Sequence, residues 1–235
     1  MARPQPPRVR ADARPRAARH RMNLNIRVHQ GRLGADQYRV VRPAEPVTGA
    51  VLVDNNPWFV LELNAETAFT ITGLWMLAAR SRHTLIHLPL RGKPPPEPSL
   101  ATVTVGELDL VLSHHDLQFA PNRWKQLRHR LGAGAPHTIS WNPNDVPAWD
   151  EVHELNRQAR RRSGHRDRFH QRLHAHTLFM AGNAVAFRRT ARYVLDMALR
   201  RPDPSHPGTY HSATVHPVDG HFTTHGQGIY LIRWQ

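Results

Sequence analysis

The chain contains no cysteine. That removes disulfide frameworks, thiolate nucleophiles, Cys-ligated zinc and iron–sulfur clusters together. Lysine is almost missing, with 2 residues against 30 arginines, and acids number 18 against 32 basic residues. The longest apolar stretch, around residues 69–79, is broken by Thr and Gly and is too short to span a bilayer. The N-terminus is rich in Arg and Pro and lacks the apolar segment of a secretory signal. A soluble cytoplasmic protein with no membrane partner is the expectation.

Several chemical signatures are also missing. His153-Glu154 is not followed by the second histidine of an HExxH zinc helix. GxSxG, Walker A and GxGxxG motifs do not occur, no close acid pair points to glycosidase chemistry, and no zinc finger or aromatic RNA-binding strand is present. No cofactor is predicted. What remains is 235 residues that are 40% hydrophobic, enough for the core of one large domain or two small ones.

The formal charge of +14 is unevenly placed. Residues 1–27 hold eight Arg and one acid, for +7, and residues 157–172 hold seven Arg and one acid, for +6. Residues 1–21 have almost no large apolar side chain and are expected to be a disordered arm, with Met22 opening sequence of ordinary composition. The second stretch continues a helical pattern, in which Val152, Leu155 and Ala159 share a face. Asp150, Glu151 and Glu154 begin that helix and Arg160, Arg161 and Arg162 end it, an order that suits the helix dipole. Dipole complementarity does not call for seven Arg in sixteen residues. Arg157, Arg160, Arg161, Arg162, Arg166, Arg168 and Arg172 are therefore candidate contacts for an anionic partner, nucleic acid or an acidic protein.

Self-similarity supplies the clearest architectural signal. His83–Pro89, His137–Pro143 and His211–Pro217 each open with His and Thr or Ser and close on Pro. Before the first lies Phe69-x-x-Thr72-Gly73-x-Trp75-Met76-Leu77, and before the third lies Phe187-x-x-Thr190-Ala191-x-Tyr193-Val194-Leu195. A strand-like run precedes each helix, and Asn64 and Asn183 stand where N-caps belong. The reading is an α+β protein, a tandem pseudo-repeat of strand–helix–strand–strand units with a partial middle copy. Its sheet would be largely antiparallel, with helices packed on one face. The expected divisions are the arm, 1–21; an N-terminal part, 22–143; a basic helical connector, 144–172; and a C-terminal unit, 173–235. Lys93–Ser99 reads as a Pro-rich linker and Pro202–Gly208 as a break.

Eighteen histidines invite a test for catalysis and metal binding. His114, His115 and Asp116 end a predicted strand, where loop-borne catalytic groups often sit. His221-Phe-Thr is the one fit to the His-x-Thr/Ser strands of a two-histidine phosphoesterase. His170 and His174, spaced i and i+4, would share a helix face as metal pairs do. The favoured expectation is a non-enzymatic binding protein using the Arg-rich segment. The alternatives are a His-dependent hydrolase, metal-dependent or not, and an interaction or immunity-type factor. Homo-oligomerisation is left open.

Overall fold

The computed structural model describes residues 21–92, 106–161, 167–200, 210–223 and 226–234. The arm up to residue 20, the Pro-rich linker, Arg162, Arg166 and the break at 202–208 lie outside the described residues.

Eleven strands and four α-helices are described: β1 (Met22–Leu33), β2 (Asp36–Pro43), β3 (Ala50–Asn55), β4 (Trp58–Leu63), α1 (Ala65–Arg80), β5 (Thr84–Leu88), β6 (Asp109–His114), α2 (Trp124–His129), β7 (Ala135–Trp141), α3 (Trp149–Arg161), β8 (His170–His174), β9 (Thr177–Gly182), α4 (Ala184–Leu199), β10 (Tyr210–Val215) and β11 (Ile229–Trp234). They form an α+β fold. One sheet has seven strands in the order β7-β1-β2-β5-β6-β9-β8, and the other has four in the order β10-β11-β4-β3. Six of the described strand pairings are antiparallel; the parallel ones are β2–β5, β6–β9 and β4–β11.

The two long helices begin alike. Asn64 accepts from the backbone N–H of Thr67 at 2.8 Å, and Asn183 accepts from that of Ala186 at 2.9 Å. Each cap satisfies one of the N–H groups that a helix start leaves without an internal partner. Thr72, eight residues past its cap (72 − 64), and Thr190, seven past its own (190 − 183), return their hydroxyls to the carbonyls of Ala68 and Ala186, at 2.7 and 2.8 Å. A buried Thr is satisfied by its own helix in this way.

α1 and α4 pack on each other; α1 also packs on β5 and β6, and α4 on β9, β10 and β11. Leu52, Leu61 and Leu231 of the smaller sheet, Ile86, Leu112 and Met180 of the larger, and Ile71 and Phe187 of the helices all belong to one buried apolar core. Alternation along the strands sends the other side chains to the opposite face. There Val40, Leu85, Val111 and Phe179 form a second cluster with Trp124 and Leu127 of α2.

Helices therefore do not share one face, as the sequence pattern suggested. α1 and α4 belong to the core between sheets, while α2 lies on the outer face of the larger one. The expected middle copy also departs from its neighbours: α2 has only 6 residues, and β7 pairs with β1 rather than with a strand of its own unit. In the other two stretches expected to be copies, the strand–helix–strand–strand order is the same, as β4-α1-β5-β6 and β9-α4-β10-β11, and each is preceded by a further strand, β3 or β8. Their strands are exchanged, since β4 pairs with β11 and β6 with β9. The expected helix at 149–161 forms, with Val152, Asn156 and Ala159 buried.

Candidate functional site

Three groups of polar side chains stand out, the first two of them on the larger sheet. The first is at the end of β6. His114 is its last residue and caps a short 3-10 turn, His115–Leu117, its Nδ1 accepting from the backbone N–H of Asp116 at 3.2 Å. This turn folds the next two side chains back toward it. Asp116 then lies 3.3 Å from His114 Nδ1 through one carboxylate oxygen and 3.1 Å from His115 Nε2 through the other. His114 is buried, whereas the side chains of His115 and Asp116 are 35% and 38% exposed. Arg82 stands 3.8 Å behind the carboxylate. Burial holds the His114 imidazole below its ordinary pKa, against the pull of Asp116. The three candidates named from sequence are thus brought together, with one ligand atom of each within 4.8 Å of the others.

A second group was not legible as a site. Asp109, at the start of β6, is buried beside α2. It accepts from the backbone N–H groups of Leu90 and Arg91 at 3.1 and 3.2 Å. The Arg91 and Arg128 guanidinium groups reach it at 3.3 and 3.7 Å, and His87 Nε2 at 3.7 Å. Arg42 Nε donates to the opposite nitrogen of His87 at 2.9 Å. Burial works to raise the Asp109 pKa, but the His87 and Arg91 contacts hold it below the usual carboxylate value. His87 is pushed down by burial, partly opposed by Asp109. Arg42 is lowered too, by burial and then by the nearby Arg128 charge. These residues come from four separate stretches of chain; the pairing of β2 with β5 and β5 with β6 gathers three of them, and α2 brings Arg128. Periodicity showed His87 merely as an inner residue of a strand.

The third group contains His221. It is fully buried, and its Nε2 shares a 3.3 Å hydrogen bond with the Tyr193 hydroxyl, which also accepts from Asn156 Nδ2 at 3.2 Å. Burial drives its pKa well down, and Arg189 adds to the effect. Arg189 is itself fully buried on α4, donating through Nη2 to the carbonyls of Gly220 and Asp167 at 2.8 and 3.0 Å. Its pKa falls to about 10, chiefly by burial. Placed so, His221 touches protein on all sides and holds the β10–β11 connection against α3 and α4.

The Arg-rich segment is divided. Arg157 pairs with Glu154 one helical turn away, and Arg160 lies 3.6 Å from Asp219. Arg168 donates to the Ala159 carbonyl at the end of α3, at 3.2 Å. Arg161 and Arg172 are exposed and have no carboxylate partner among the described residues. Many arginines elsewhere also bind backbone carbonyls: Arg27 that of Gly134, Arg80 that of Ser140, Arg130 that of Arg32, and Arg233 that of Met197. Part of the basic composition therefore serves the fold.

His170 and His174 do not share a helix face. They are on β8, where four residues at ~3.3 Å each separate them by ~13 Å, too far for one metal ion to bridge. The i, i+4 spacing that signals proximity on a helix signals distance on a strand.

An open groove of about 990 Å³ between α1, α4 and residues 143–151 is lined by Arg80, Arg188 and Arg192 beside Met76 and Leu199; none of the candidate histidines lies in it. Among the described residues no helix is long and apolar enough to cross a membrane. Compared with protein-family models, curated proteins and solved structures, the chain has no match to any of them.

Proposed function

We propose that this protein binds a phosphate-bearing polymer, a nucleic acid, through arginines on the outer face of the seven-stranded sheet. The observation that carries the reading is the crowding of three guanidinium groups about one buried acid: those of Arg91 and Arg128 lie against the Asp109 carboxylate, and that of Arg42 donates to His87 beside it. A single buried acid leaves net positive charge there, and a phosphate would relieve it. The Arg-rich segment joins this face through Arg172. Its register partner is Phe179, which is level with Val111 and His87 on successive strands, so all four side chains project to the α2 side. Lys125 and Arg130 extend the same surface from α2. On the folded body as described, cations outnumber acids by seven, 22 Arg and Lys against 15 Asp and Glu. Arg161 and its neighbours on α3 form the second part of the surface. The cytoplasm, where nucleic acid is at hand, is the compartment this reading places it in.

The test is fluorescence anisotropy with duplex and single-stranded oligonucleotides, and with polyglutamate as the acidic-protein arm, across a salt series. Affinity for nucleic acid is expected to fall steeply with salt, with a slope of about 0.9 per neutralised phosphate. Combining Lys125→Gln, Arg128→Gln, Arg130→Gln and Arg172→Gln is expected to weaken binding by about tenfold or more and to flatten that slope. Unchanged binding by a variant with native circular dichroism discards the reading, as does a preference for polyglutamate.

A second reading, a His-dependent hydrolase, is favoured by one observation: the convergence of His114, His115 and Asp116. We also read the recurring ββαββ order, the paired Asn caps and the matched Thr72 and Thr190 as traces of one ancestral unit copied once.

A further inference from the structure

The contacts between His114 and Asp116 pose an electrostatic problem. The backbone N–H of Asp116 points at His114 Nδ1, so that nitrogen presents a lone pair. The same nitrogen lies 3.3 Å from an Asp116 carboxylate oxygen, which is also an acceptor. Two acceptors at that distance repel unless a proton or a cation lies between them. On the other oxygen, His115 Nε2 approaches to 3.1 Å.

These separations have a geometric meaning. Around a tetrahedral zinc ion with bonds of ~2.0–2.1 Å, neighbouring ligand atoms are separated by ~3.4 Å, the edge of the tetrahedron. Both contacts are close to that edge. All three ligand atoms lie within 4.8 Å of one another, which leaves room for an ion between them after small side-chain rotations that would turn the one lone pair of His114 Nδ1 from the Asp116 N–H to the metal. The donor set, two imidazoles and a carboxylate, suits zinc and its neighbours rather than calcium or magnesium. Arg82, 3.8 Å from the carboxylate, is placed as an outer partner that orients it.

We infer that His114, His115 and Asp116 form a three-ligand site for a divalent transition metal, with zinc the ion that fits best. The half-exposed side chains of His115 and Asp116 leave a fourth position open to water, the arrangement of reactive rather than purely structural zinc sites. The site shares no residue with the Arg42–Arg91–Arg128 surface, so it stands or falls separately from the nucleic-acid reading.

The experiment is titration of the chelator-treated full chain with Co²⁺, read by visible d–d absorption, and with Zn²⁺, read by calorimetry. One equivalent is expected to bind, with the intense absorption of four-coordinate cobalt. His115→Ala and Asp116→Asn, both at partly exposed positions where the fold should tolerate change, are each expected to weaken binding by about tenfold or more. His170→Ala and His174→Ala are expected to bind as the parent does. Absence of saturable binding by the parent overturns the proposal. So does equal affinity in both His115→Ala and Asp116→Asn when circular dichroism shows them folded, since the metal would then be held by other histidines.

Discussion

The indole Nε1 of Trp75 donates to the Thr190 hydroxyl at 2.8 Å, tying α1 to α4 in the middle of the core. Thr190 passes its own hydrogen to the Ala186 carbonyl at 2.8 Å, so the two helices are linked through a continuous donor–acceptor chain. Tyr193 follows Thr190 by three residues on α4, as Trp75 follows Thr72 by three on α1. It turns instead to Asn156 and His221. The matched aromatics thus do different work: one joins the two long helices, the other anchors α3 and the β10–β11 connection.

Thr190→Val keeps the volume and removes the acceptor, leaving the indole N–H buried without a partner. Unfolding free energy is expected to drop by about 1–3 kcal/mol. Trp75→Phe combined with Thr190→Val should cost less than the sum of the two single changes, because the double variant leaves no orphaned donor. Urea denaturation of the four proteins measures the coupling. Strict additivity would mean that the bond contributes nothing.

Gly73, in the interior of α1, is the kind of residue that Ala ordinarily replaces with a gain of about 0.5–1 kcal/mol. The opposite sign is expected. A Cβ at position 73 would sit 2.6 Å from Nε1 of Trp141, and the indole is held by β7 and buried. Gly73→Ala should destabilise by about 1–3 kcal/mol, as overpacking does. Thermal unfolding decides it, and a raised melting temperature in Gly73→Ala would show that Trp141 moves aside freely.

Acid should destabilise the protein in two stages. His87 and His221 have folded pKa values below 6.5, so the unfolded chain takes up protons that the folded one refuses. Their stabilising effect is complete above the unfolded value and is lost as pH falls below it toward the folded values. Asp109, also lowered, contributes above its unfolded value of 3.8 and loses that contribution at still lower pH. From about pH 7 to about pH 5, stability should therefore decline, by up to about 1.4 kcal/mol per pH unit for each such imidazole. His221→Gln should flatten the decline by that amount. Equal slopes in the two proteins would show that His221 is not held neutral.

Much of the local structure could be read directly. Asn64 and Asn183 marked two helix starts, and the Phe/Thr/aromatic stripes identified two buried helices, because capping and periodicity act within a few residues. The strands opening at Thr84 and Tyr210 were legible for the same reason. Pairing was not. That β4 lies beside β11, and β6 beside β9, depends on which edges meet after the helices pack, and no local pattern records it. β8 was misplaced because His170 and His174 matched helical spacing, and its pairing with β9 overrides that pattern. Of the candidate sites, the His114–His115–Asp116 group was visible because its members are consecutive. The Asp109 group was invisible because its members, Arg42, His87, Arg91 and Arg128, span 87 positions (128 − 42 + 1).

The exchange of strands has a bearing on how this chain comes to be folded. Between the end of β4 at Leu63 and the start of β11 at Ile229 lie 165 positions (229 − 63 − 1), and until they are traversed β4 keeps one flank bare. β6 waits likewise for β9. A bare flank is a template for any passing segment of similar character, including the same segment of a sister molecule. The earlier half made alone would present two such flanks at once. It should clump rather than rest as a small stable body.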